Sequence, residues 1–533
     1  MSFSISGFRS SFPEGYWPGS RRVRYGESNP METFQSLLHG FSIALTPENL
    51  FLCFVGTLVG TLVGVLPGIG PAGAIAILLP MTFKISTTGS IIMLAGIYYG
   101  VSYGGSTTSI LVNIPGETSS VVTCLDGYQM ALNGRAGAAL GISAFGSFIA
   151  GTLGIVGLMG FAVPLSGMAL SFGYHEYFSL IVLGLTFVTF LSYGSMLKSV
   201  MMCCLGFMLG IVGLDTITSA PRLTFDMTEL FDGLGIAPVA MGLFGVSEVI
   251  LNMERTVTTE LIRTKVRNLF PSRLDWAVSK WPLLRGTVVG FFLGILPGGG
   301  PVLASFLSYG LEKRLSKEPE KFGKGAIEGV AGPESANNAA ASSSFIPLLT
   351  LGIPPTASLS ILFGAFLIHG ITPGPLLLKN HPDVFWGVLS SMYVGNVMLL
   401  ALNLPLIPVW VQVLKIPDKY LYPLILVFCL IGAYSINNSV FDVLIMCIFG
   451  VVGYLFRKFE YQGAPLLLAF VLGPLLDFNL RHALLVSEGR FRDFFTRPIS
   501  AVTLGLAALL LLSNALPAVM KRLAQYRESV ENG

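Results

Sequence analysis

Apolar residues fill this chain in long blocks and do not alternate with polar ones. Blocks long enough to cross a hydrocarbon core of roughly 30 Å, about 20 helical residues each, lie near 88–113, 136–164, 176–194, 197–215 and 234–253. Others follow near 384–413, 420–436, 439–456 and 498–519. Between them are apolar stretches punctured by Gly and Pro, at 50–83, 286–310, 340–371 and 464–478. Proline removes a helical N–H and clashes with the preceding turn, so these stretches are not simple spans. The pattern predicts an all-α integral membrane protein of about 10–12 transmembrane helices, some broken by Gly/Pro or folded as re-entrant hairpins.

Composition supports the same class. Of 533 residues 53% are hydrophobic and only 11% charged, with a mean hydropathy of +0.72, whereas about a quarter of a soluble chain is charged. So few charges cannot clothe a water-exposed surface, which excludes a soluble enzyme or a nucleic-acid binder. The six cysteines and five histidines show no metal-ligand spacing. Residues 1–30 carry Arg9, Arg21, Arg22 and Arg24 without an apolar signal-peptide core, and read as a polar, disordered extension.

Charge sets the topology. Residues 215–233 hold Asp215, Asp226, Glu229 and Asp232 against Arg222 alone, whereas 254–285 carry Arg255, Arg263, Lys265, Arg267, Arg273, Lys280 and Arg285. The positive-inside rule places the second segment in the cytoplasm. Segment 311–328 is also basic, so 286–310 enters and returns on one side, turning at Pro297-Gly298-Gly299-Gly300-Pro301. Residues 56–71, GTLVGTLVGVLPGIGP, match 286–301, GTVVGFFLGILPGGGP, at ten of sixteen positions without gaps. Five candidate crossings separate the two motifs, and an odd number inverts one repeat relative to the other. The expected organisation is an extension 1–30, membrane repeat 31–253, a cytoplasmic linker 254–285, membrane repeat 286–520 with additional helices, and a polar tail 521–533. This topology puts the arginine-bearing tail outside, so either Met31 is the natural start or residues 50–66 span fully.

Paired Gly/Pro interruptions in two halves mark the substrate and ion site of a secondary transporter. The candidates are Pro67, Gly68 and Gly70 with Pro297, Gly298 and Gly300 at the tips, and Gly104, Gly105, Ser106, Thr107, Thr108 and Asn113 before the first Ile-Pro break. Glu334, Ser335, Asn337 and Asn338 precede the second. Glycine tips let backbone approach a ligand, helix N-termini can hold carboxylates, and hydroxyls and carbonyls can hold a transient Na+, whose ligands the sequence does not assign. Small residues also serve close helix packing, which is the alternative reading. Glu117 and Asp126 follow the first break as further acids. No Lys or Arg lies in either broken-helix region, so an anion there is balanced best by co-bound Na+ or by protons. No cofactor is expected.

These residues carry a resemblance. GFSIALTPENL (40–50), GVLPGIGP (64–71), YGGSTTSILVNIPG (103–116), LDGYQMALNGRAGAALGI (125–142), GILPGGGP (294–301), FGKGAIEGVAGPESANNAAASSSFIPLLTLGIPP (322–355) and FGAFLIHGITPGP (363–375) resemble the large membrane subunit of tripartite tricarboxylate transporters. Pro355, Ser343 and Ser344 stand where that family usually has glycine. The resemblance implies ion-coupled carboxylate uptake, by Na+ or H+, across the bacterial inner membrane. It also implies a periplasmic solute-binding protein and a small four-helix membrane subunit as partners. A standalone secondary carrier or, further off, an ion channel would share the broken helices. No Ser/His/Asp or paired-Asp cluster supports a hydrolase.

The topology is open to direct test with single cysteines at Ser272 and Thr224 in a cysteine-free background. A membrane-impermeant thiol reagent on intact spheroplasts is expected to label 224 and spare 272; the opposite result reverses the assignment.

Overall fold

The computed structural model describes residues 30–66, 70–191, 195–215, 217–254, 268–298, 300–414 and 418–513. The extension 1–30 (apart from the backbone at Pro30), the linker residues 255–267, the tip residues Pro67 and Gly68, and the tail 521–533 lie outside them. Helix dominates the described residues; a two-residue antiparallel pair, Gly213–Leu214 with Pro221–Arg222, is the strand content. Among the described residues eight helices are long and apolar enough to cross a membrane, including Pro47–Val65, Ala136–Ala169, Pro382–Asn403 and Gly463–Val486. The chain is thus an all-α integral membrane protein.

The punctured stretches 50–83 and 286–310 each fold as two helical arms, whereas 464–478, expected to be broken, lies within one continuous helix, Gly463–Val486, that carries Pro474 inside it. The first pair is Pro47–Val65 and Gly70–Leu78; the second is Arg273–Ile295 and Gly300–Leu315. The second pair begins earlier than the apolar pattern indicates, because Ser272 and Asp275 close a capping box that starts the helix inside the basic segment. Arg285 at the base of one arm donates two hydrogen bonds to Glu312 on the other, 2.8 and 2.5 Å long. Such bidentate pairs are the strong, directional kind, and this one fixes the spacing of the arms.

Each first arm lies against a long helix of its own half by the same device. Gly56, Gly60 and Gly64 abut the carbonyls of Met93, Ile97 and Val101 on helix Thr87–Val112. Gly286, Gly290 and Gly294, each 230 residues on, abut those of Gly332, Ala336 and Ala340 on helix Glu328–Ser343. In lipid, where burial of apolar surface does not drive helices together, such backbone-to-backbone approach supplies dispersion contact. A Cβ at Gly60 would stand 2.6 Å from the Ile97 oxygen.

The two long helices lead into matching breaks. Asn113 ends the first at φ +59 and Gly352 ends the second segment at φ +70, both left-handed caps. An Ile-Pro pair follows each. Then Glu117 (φ −142, ψ 168) and Thr356 (φ −134, ψ 160) cap the next helical turn in nearly the same backbone conformation. Asn113 and Gly352 are 239 residues apart, as are Glu117 and Thr356.

Outside the broken helices, one charge cluster clasps a loop. Asp215 accepts from the N–H groups of Thr218 (2.7 Å) and Ile217 (2.8 Å), from Arg481 (2.5 Å) and from Arg222, which also holds Asp477 at 2.9 Å. In the same loop Thr224 is buried and Phe225 is 80% exposed, so position 225 is the better reporter for thiol labelling.

Two stability outcomes follow. Gly290→Ala should lower the thermal midpoint in detergent, because overpacking costs about 1–3 kcal/mol. Gly310→Ala, which meets nothing within 4 Å, should leave it unchanged or raise it; equal behaviour of the two would remove the packing role of the stripe. The second outcome concerns acid. The Thr218 N–H, with the Ile217 N–H and Arg481, holds the Asp215 carboxyl well below the usual carboxylate range against the opposing effect of burial. Its contribution is therefore fully present above the unfolded value of about 3.9 and is lost as pH falls from there through the lower folded value. Asp215→Asn should flatten the acid limb of the midpoint-versus-pH curve, and an unchanged limb would assign acid sensitivity elsewhere.

Candidate transport site

The two breaks and the two hairpin tips converge. A cavity of about 940 Å³ is bounded by Pro115, Gly116 and Glu117 of the first break, Pro355 and Thr356 of the second, Gly70 and Pro71 of one hairpin, and Gly298 and Pro301 of the other. Gly70 and Gly300 are the first residues of the second arms, with φ +63 and +27, a backbone region that favours glycine. Gly298, at φ +91, has its N–H 2.8 Å from the Pro355 carbonyl, so one tip is hydrogen-bonded to one break. Tyr98 and Ser102 line the cavity from helix Thr87–Val112.

Polar contacts across the halves lie at and behind its wall. Asn337 donates to Glu117 Oε1 at 3.1 Å, and Ser119 donates to the same carboxylate oxygen. Glu334, 1% exposed, accepts from Ser106 at 2.6 Å and from Thr123. Asp126, fully buried, accepts from the N–H groups of Gly323, Gly325 and Ala326 and from the Tyr309 hydroxyl. Each acid of one half, Glu117, Asp126 and Glu334, is thus held by donors of the other.

The residues singled out from sequence divide by role. Gly70 and Gly298 line the cavity, and Pro297 and Gly300 flank it in the same tip. Gly104 packs on the Thr61 carbonyl, while Gly105 leaves room for the Glu117 side chain, whose Cγ is 3.1 Å from where a Cβ would be. These two are packing glycines. Thr108 donates to the Val65 carbonyl at 2.7 Å, closing the end of a first arm, and Thr107 is buried nearby. Asn113 is an exposed helix cap. Ser335 bonds the Ala331 carbonyl of its own helix, and Asn338 donates to Ser147 (2.7 Å) and to the Glu334 carbonyl (3.1 Å). Glu334 stands behind the wall and does not line the cavity. Pro67 and Gly68 lie outside the described residues.

Sequence reasoning passed over Thr356, Tyr98 and Ser102. It also missed Lys198 and Arg457, which reach the same cavity from helices outside the broken regions. Lys198 donates to the Phe459 carbonyl at 2.7 Å, and Arg457 pairs with Glu248. The signal for Thr356 was its position two residues after an Ile-Pro, as for Glu117. Nothing in the linear pattern brings Lys198 and Arg457 to the breaks.

Comparison with known proteins gives the family. The model of the tripartite tricarboxylate transporter TctA family matches residues 50–468. An uncharacterized 52.8 kDa protein of Agrobacterium vitis, from the TAR-I ttuC' 3' region, is 51% identical over 492 residues, covering 92% of this chain and 98% of its own. A second Agrobacterium vitis protein, from the TAR-II ttuC' 3' region and also uncharacterized, is 53% identical over 233 residues, 44% of this chain and 96% of its own. No solved structure matches. With its broken helices meeting at one cavity and the match running from the first arm of one hairpin to beyond the second break, the chain belongs to the tripartite tricarboxylate transporter TctA family.

Proposed function

We propose that this chain is the large transmembrane subunit of an ion-coupled carboxylate importer of the bacterial inner membrane. It takes substrate from a periplasmic solute-binding protein and works beside a small four-helix membrane subunit. The observation that carries this reading is the single cavity shared by both breaks and both hairpin tips. Helix N-termini present unpaired N–H groups and a partial positive charge, and the helices starting at Gly70, Gly300 and Ala357 all begin on or beside that cavity. A substrate carboxylate is received there by these N-termini, since the cavity's Lys198 and Arg457 are offset by Glu460 and Glu248 beside them.

Charge balance calls for a coupling ion. The cavity already holds Glu117 on its wall, and an acid at membrane depth costs about 2.5–3.5 kcal/mol on the insertion scale. Bringing a carboxylate beside it adds a like charge, which Na+ or a proton offsets. In this reading the two repeats are inverted and the cavity opens to each side in turn.

The reading is tested by uptake of labelled di- and tricarboxylates into cells expressing the chain with its neighbouring small membrane protein and binding protein, with Na+ or choline outside. Accumulation that needs the binding protein and a cation or proton gradient is expected. Uptake that proceeds without the binding protein, or downhill ion conduction without coupling, would replace it by a standalone carrier or a channel. Gly298→Val should abolish uptake at normal abundance, because the new Cβ would lie 2.5 Å from the Val188 Cα at a φ of +91. Asn338→Ala, whose amide points away from the cavity to Ser147 and Glu334, should retain the parent's substrate dependence. Full uptake by the valine variant would reduce the tip to a packing element.

A further inference from the structure

The two breaks share a backbone but not a chemistry. At the 239-residue register, Glu117 corresponds to Thr356, Ser119 to Ser358, and Asn337 to Tyr98. The correspondence is also one of contact, since Asn337 of the second half leans on Glu117 of the first. Tyr98 of the first half in turn lines the cavity with Thr356 of the second. Only one of the two places carries an acid.

Three observations at the acidic place point to a ligand. Glu117 lines the cavity, and the side chains that bond it, Ser119, Asn337 and Ser102, are neutral. Among the described residues no Lys or Arg forms an ion pair with it. Asn337 is 1% exposed, and its Oδ1 is buried with no hydrogen-bond partner, so the bond from Nδ2 to Glu117 is what fixes the orientation of the amide. The amide torsion is broad and roughly two-fold, and half a turn exchanges Nδ2 for Oδ1. The turned amide would place an oxygen about 3.1 Å from Glu117 Oε1, where Nδ2 now donates. Two oxygens at that spacing, one of them anionic, form an edge of the oxygen shell that hard cations take. The Ser119 hydroxyl, and Ser102 beside the carboxylate, extend that shell with neutral oxygens.

We infer that Glu117, Asn337 and Ser119 form a Na+ half-site, occupied when the Asn337 amide turns its oxygen to the carboxylate, and that the acid-free equivalent at Thr356 and Tyr98 is left for the substrate carboxylate. This assignment rests on the transport reading above and deepens it by giving each break one ligand. Without the cation Asn337 donates to Glu117; with it, both ligate. Na+ binding neutralises Glu117 and so removes the repulsion that an incoming carboxylate would meet.

Binding to the purified full chain separates this inference from the transport reading, because it needs neither partner nor substrate. Binding of 22Na+ in detergent and thermal stabilisation by NaCl over choline chloride are measured on the parent, Glu117→Gln, Asn337→Ala and Thr356→Val. The parent is expected to bind 22Na+ and to be stabilised. Glu117→Gln, nearly isosteric, should weaken binding more than about tenfold through loss of the charged ligand. Asn337→Ala, which keeps the carboxylate, should weaken it about tenfold, and Thr356→Val should bind Na+ as the parent does. A parent that shows no Na+ binding overturns the inference. So does a Glu117→Gln protein that elutes as the parent does and still binds with parental affinity, or a Thr356→Val protein that loses Na+ equally. Absence of carboxylate uptake alongside the expected binding pattern would instead strike only the transport reading.

Discussion

Every feature of the site depends on satisfying a helix break at membrane depth. A hydrocarbon core offers no water to an orphaned N–H or C=O, so non-helical backbone is tolerated only where protein supplies the partners. Here those partners are specific. Thr108 closes the Val65 carbonyl, Ser344 closes the Gly294 carbonyl at 2.9 Å, and the Gly298 N–H is taken by the Pro355 carbonyl. The glycine stripes make these bonds geometrically possible, because they bring each first arm within backbone contact of the helix that leads to a break. Loosening one stripe would uncouple the arm's end from its cap and expose the break it supports.

That dependence explains how much the sequence disclosed. The hairpins were legible because their glycines serve backbone contact, which tolerates almost no other residue, and so the 230-residue register survives as identity. The second register, 239 residues, links the helix-and-break units and was not visible. There the repeated quantity is a backbone path, and Asn113 and Gly352 can both adopt the left-handed cap it requires while sharing no side-chain chemistry. Lys198 and Arg457 were illegible for a different reason: they stand on helices outside the motif-bearing segments, and only tertiary packing takes them to the cavity.

Several residues that looked like ligand contacts bond within the protein, and the reason is local. Serine and threonine in a helix can bond a carbonyl one turn back, as Ser335 does with Ala331. Ser344 also clarifies a departure noted in the sequence. Its hydroxyl is spent on the Ala340 and Gly294 carbonyls, so it strengthens the end of the arm without projecting at a ligand. In the other half the equivalent residue is Gly105, and the absence of a side chain there is what lets Glu117 lie against the helix. Exchanging the two residue types would uncap one arm and displace the acid at the other break.

The asymmetry has a physical consequence for coupling. A pair of identical breaks would offer two equivalent places, and an anion and a cation could each occupy either. With an acid in one and neutral hydroxyls in the other, the anion is repelled from Glu117 until that charge is cancelled, while the cation has little to gain at Thr356. Mutual stabilisation of two ligands in one cavity is a coupling free energy, and it acts equally in both directions: whatever the cation contributes to carboxylate affinity, the carboxylate returns to cation affinity. The protein element through which this reciprocity passes is short. It runs from Glu117, beside Gly116 in the first break, to Asn337 on the helix that leads through Phe345–Leu351 to the second, so each ligand bears on the backbone that holds the other.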